Sequence, residues 1–144
     1  MNSEQYGIIC SRRQSINDKV WEVPSLATAA QAFLLASALG TETPDFRSLA
    51  LSVFSLVVGA ASYQLMAKHR QLEVEDSERL AEFERQHADQ GYEVLHGKNT
   101  GMPGVKRSFV TKVSSYKVWS LVLLGFVLLA AYAIASDVAY LISK

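Results

Sequence analysis

The sequence predicts an all-α integral membrane protein of three transmembrane helices, the second of which runs on into a long charged cytosolic helix. Two observations predict this. Charged side chains are missing from three blocks, 24–41, 48–67 and 118–136, so the apolar half of the composition is gathered rather than dispersed. In addition, no Gly or Pro interrupts the chain between Gly59 and Gly91, so the charged residues after Ala67 continue the helix begun in the second block.

The second block organises the rest. Thr43-Pro44-Asp45 offers a capping residue, a proline suited to the first helical position and an acid in the first turn. Residues 48–67 carry no charge and, at 1.5 Å per residue, span roughly 30 Å, the thickness of a hydrocarbon core. Lys68, His69 and Arg70 close the span. Ser48, Ser52, Ser55, Gly59 and Ser62 fall on one face, and small residues at that spacing let another helix approach closely, within one chain or between copies. Ala27, Thr28, Ala32 and Ala36 supply a matching face on the first helix.

Residues 1–22 read as a polar cytosolic arm, and Val20 to Val23 as an interfacial anchor with Trp21 at headgroup level. No secretory signal fits them. Pro24 stands at a helix start or a kink. The first membrane helix extends from there to Leu39, with Gly40 as its stop and Gln31 near its middle as a pore or polar contact; its 16 residues reach only roughly 24 Å. Gly40 to Arg47 is short, so 23–67 forms an antiparallel hairpin.

Residues 68–90 form the charged helix. Its acidic run, Glu73 to Glu84, reads as a solvated face, and its sparse apolar stripe (Leu72, Leu80, Phe83) suits one-sided packing against a neighbouring subunit or partner. A sustained coiled coil is disfavoured, because Asp76 and Arg79 fall where an apolar seam belongs. Gly91 ends the helix. The stretch 91–115 is a basic cytosolic segment, either a hairpin across a turn at 97–104 or an interfacial helix, in which Lys106, Arg107 and Lys112, with Lys117, face anionic lipid. The third membrane helix occupies the first part of 116–144, leaving a short external tail. Asp137 near its end reads as a solvated residue, with a gating or proton-relay carboxylate as the alternative.

Basic residues number three in the arm, one in the first connection, nine between the second and third helices and one in the tail. Positive-inside bias then puts the N-terminus and the central segment in the cytosol and the C-terminus outside an inner membrane.

No chemistry of catalysis or metal binding is apparent. Cys10 is single and excludes an internal disulfide, and His69, His87 and His96 lack ligand spacing. Gly91 to Asn99 fails as a phosphate loop, since five residues separate Gly91 from Gly97 and Asn99 stands where Ser or Thr is required. No serine lies in a nucleophile elbow. The reading is a non-enzymatic protein without a cofactor, with no nucleic-acid partner and a net charge of zero. Its partners are the bilayer and either further copies of itself or another membrane protein met through the charged helix.

From Trp21 to Ala88, a two-helix hairpin whose second helix extends into a charged cytosolic helix resembles the SLATT family of bacterial effectors. The resemblance is one of architecture. It implies an oligomeric, pore-forming membrane output of a conflict system; the third helix departs from the two-helix pattern. A structural or accessory subunit of a larger membrane complex is the alternative.

Overall fold

The computed structural model describes residues 2–41, 43–96 and 114–144. Helix α1 spans Ser3–Leu39, α2 spans Phe46–Gln86 and α3 spans Ser115–Ile142, with a 3-10 turn at Ala88–Gln90. Among the described residues there is no strand. All three helices are long and apolar enough to cross a membrane.

Helix α1 differs from its expected extent. It begins at Ser3 rather than Pro24, so the polar arm is itself helical. A reciprocal cap starts it: Asn2 Oδ1 accepts from the Gln5 amide (2.8 Å) and the Asn2 amide donates to Gln5 Oε1 (3.1 Å). Pro24 lies inside the helix, where it has no N–H to give to the carbonyl four residues back, and Thr28 Oγ1 donates to the Pro24 carbonyl (2.7 Å). The cap of α2 also shifts. Asp45, not Thr43, holds its first turn, accepting from the Ser48 amide at Oδ1 (2.8 Å) while its own amide donates to Ser48 Oγ (3.1 Å). At the far end Gly91 adopts φ 87°, a left-handed conformation that side chains resist, and turns the chain out of the 3-10 turn.

The chain divides into two compact units. The charged unit joins Met1–Trp21 to Ala67–Lys112. Its helices run antiparallel, since Tyr6 meets Glu84 and Arg12 meets Asp76. Val20, Leu80, Ala81 and Phe83 are its buried apolar side chains.

The apolar unit joins Glu22–Met66 to Val113–Lys144. Ala27, Met66 and Leu123 form one cluster under Tyr116 and Trp119, and Leu35, Ala130 and Ala133 form another beside Leu56 and Phe126. Around these the usual order is reversed. Phe33 is 72% exposed, Leu121 69% and Tyr132 70%, while Gln31, Ser48, Ser52 and Ser55 are fully buried. In water such an arrangement forfeits the burial of large apolar side chains; against hydrocarbon it satisfies both surfaces.

Candidate functional site

Within the apolar unit the polar residues form a column along one face of α2. Ser48, Ser52, Ser55 and Gly59 are all buried inside the protomer, and Ser62 is half-buried. Gln31 of α1 reaches across to this face, its Nε2 donating to the Ser55 carbonyl (3.3 Å). Gly59 makes that reach possible, because a Cβ there would stand 2.2 Å from Gln31 Nε2 and 2.7 Å from Val127 Cγ2 of α3. The small face therefore packs against α1 and α3 of its own chain.

Ser48 carries the column to the end of the unit. Its Oγ lies 3.0 Å from Asp137 Oδ2 and 2.9 Å from the Asp45 carbonyl. Asp137 is only 7% exposed, which corrects its reading as a solvated end residue: the end of α3 packs on the first turn of α2, and the Ser48 hydroxyl meets the carboxylate there. Along the column Gln31 Oε1, Ser52 Oγ and Ser55 Oγ find no hydrogen-bond partner among the described residues. A buried polar group left unpaired costs on the order of 1–3 kcal/mol.

The charged unit is built around carboxylates that sequence alone places in solvent. Glu73, Asp76 and Glu84 are buried. Asp76 accepts a forked pair of bonds from Arg12, through Nε (2.8 Å) and Nη2, and Glu73 meets Arg13 (3.6 Å) and Arg70. The fork holds the Arg12 guanidinium above its ordinary pKa. Asp76 does occupy the seam, but the opposite helix supplies its counter-ion.

Glu84 gathers donors from α1 and from the chain after Gly91. It accepts from the Tyr6 hydroxyl (2.8 Å), the amides of Leu95 (2.9 Å) and His96 (3.0 Å), and the His96 ring at Nδ1. Burial alone would raise its pKa, yet the bonds from His96 and Tyr6 outweigh that and hold it below the usual carboxylate value. Tyr6 moves the other way, raised by burial and then by its bond to Glu84. Tyr6, Phe83, His87, Tyr92 and His96 pack as an aromatic group around the carboxylate, with His87 stacked on Phe83 at 4.0 Å. The clasp fixes the chain after Gly91 against both helices.

On the outside of this unit Glu75, Glu78, Arg79, Glu82 and Gln86 line a groove of about 560 Å³ floored by Ile9 and Phe83. Cys10 is a free, half-buried thiol. Lys117 is exposed on the first turn of α3, whereas Lys106, Arg107 and Lys112, and the choice between hairpin and interfacial helix for most of 91–115, lie outside the described residues. Among the described residues no group of three His, Cys, Asp or Glu side chains is placed to hold a metal.

Tyr6, Arg12, Glu84 and His96 are structural anchors that sequence reasoning passed over. For Arg12 the sequence holds a trace, two adjacent arginines in the arm and an acidic run in the charged helix, which the structure pairs as Arg12–Asp76 and Arg13–Glu73. Comparison with family models, curated proteins and solved structures finds no match to the chain.

Proposed function

We propose that this is a non-enzymatic, multi-pass membrane protein that acts as an assembly of copies, a pore-forming effector or channel-like protein. The carrying observation is the reversed apolar unit, with polar side chains inside and large apolar ones outside. Such a surface is suited to lipid. On this reading the N-terminus and the end of α2, joined where Tyr6 meets Glu84, share the cytosolic side of a bacterial inner membrane, and the bias of basic residues supports that side.

Assembly would use a face other than the serines. On α3, Gly125 has no atom near its would-be Cβ and opens a shallow apolar notch of about 290 Å³ beside Leu121, Val122, Phe126 and Leu129. A small residue in such a notch lets a helix of another copy approach closely. Gly125→Leu is expected to reduce the assembled mass in nanodiscs to that of a single chain while leaving the thermal midpoint unchanged. An unaltered mass would remove this face from assembly, and a wild-type protein already monomeric, without conductance in planar bilayers, would sink the pore reading.

The acidic, aromatic-floored groove of the charged unit favours a second reading, an accessory subunit that docks a basic partner segment. Fixed-ratio copurification with another chain, abolished by Glu75→Lys with Glu82→Lys, would support it.

A further inference from the structure

Three oxygen atoms in the apolar unit, Gln31 Oε1, Ser52 Oγ and Ser55 Oγ, belong to fully buried side chains and have no partner among the described residues. Other hydroxyls of the same unit behave differently. Thr28 Oγ1 donates to the Pro24 carbonyl (2.7 Å) and Ser120 Oγ to the Tyr116 carbonyl (2.8 Å), each closing onto its own helix four residues back. Ser52 and Ser55 leave that bond unmade. The Gln31 amide is anchored beside them through Ser55, so its acceptor oxygen shares their surroundings.

We propose that Gln31, Ser52 and Ser55 bind internal water, in a hydrated pocket that lies within one protomer and connects toward the end of the unit marked by Ser48 and Asp137. Gln31 Oε1 only accepts, and each serine hydroxyl gives one hydrogen and accepts others, so water, donor and acceptor at once, can satisfy all three. A bare cation matches the oxygens but finds no carboxylate among them, and burying its charge there is costly. Residues three and four apart on a helix have Cβ atoms about 5–6 Å apart, close to the span of one water bonded on both sides. The serines at 48, 52 and 55 hold that spacing, which continues the hydrated path to Asp137. In the other direction Gln31 and Val127 close over Gly59, and Ala27, Met66 and Leu123 pack as an apolar cluster with Tyr116 and Trp119. On this proposal water enters from the Ser48 and Asp137 end, past the Leu35, Ala130 and Ala133 cluster, and the apolar packing at the other end stops it from crossing the unit.

The inference rests on the membrane part of the proposed function and not on assembly. In nanodiscs and a Cys10→Ser background, Ser52→Cys is expected to react with Ag⁺ at least tenfold faster than Phe33→Cys on the outer surface. An equal or slower rate means a dry interior and overturns the pocket. A water-soluble maleimide tests the membrane reading separately: rapid labelling of Phe33→Cys would show that lipid does not cover that surface. The unsubstituted protein gives a second readout, in which magnetisation transferred from water in solid-state NMR reaches Gln31 and Ser55 before Leu123 and Ala130. Simultaneous or later arrival at Gln31 and Ser55 overturns the proposal whatever the variants do.

Discussion

Gly59→Leu is expected to disrupt the apolar unit, and Gly59→Ala to weaken it by about 1–3 kcal/mol, the usual cost of forcing extra carbon into a packed site. The added Cβ meets two neighbours at once, the Gln31 amide at 2.2 Å and a Val127 methyl at 2.7 Å. Gln31 cannot simply swing aside, because its Nε2 is held by the Ser55 carbonyl. Both flanking helices must therefore shift. Thermal unfolding followed by tryptophan fluorescence in a mild detergent measures the effect, and adding Gln31→Ala to Gly59→Ala should recover part of the loss. An unchanged midpoint for Gly59→Leu would mean that α1 and α3 do not pack at this glycine.

Glu84 carries the second large effect. Glu84→Ala leaves Tyr6, His96 and two amides without their shared acceptor, and is expected to cost about 3 kcal/mol and to release the chain after Gly91. Amide exchange at Leu95 and His96 reads the release directly. The pKa directions give the pH dependence. Glu84 is held below its unfolded value, so its contribution is present above about pH 4.3 and is lost as pH falls through the folded value. Tyr6 is raised, so its contribution is present below about pH 10 and declines as pH rises toward its folded value. The aromatic near-UV signal should hold steady between these limits and fade beyond each. Glu84→Gln should flatten the acid side, and an acid limb identical to wild type would show that Glu84 does not govern it.

The sequence announces elements whose cause is local. Charge-free spans, the Gly40 to Arg47 connection and the stop at Gly91 mark α2, α3, the hairpin and the end of the charged helix because each depends on residues adjacent in the chain. What stayed hidden depends on distant partners. Residues 3–21 hold few helix signals, and they pack against the second half of α2. The acidic run looks solvated until Arg12 and Tyr6, more than sixty positions away, come to face Asp76 and Glu84. Asp137 reads as a solvated end residue for the same reason, since Ser48 lies 89 positions before it. Of the polar column, the serine spacing and Gln31 were visible, but not that they share one interior.

The long separations in the charged unit also impose an order on synthesis. Its first strand of contacts, from Tyr6 and Arg12, joins partners 78 and 64 positions apart. Those N-terminal residues leave the ribosome first and then wait until residue 84 has emerged. The hairpin between them is complete earlier, so on the membrane reading insertion precedes closure of the unit that brackets it. On the same reading, a chain whose hairpin failed to return to its starting side could not bring Tyr6 to Glu84. Such a chain would expose the carboxylates and the aromatic side chains that pack together in the closed charged unit.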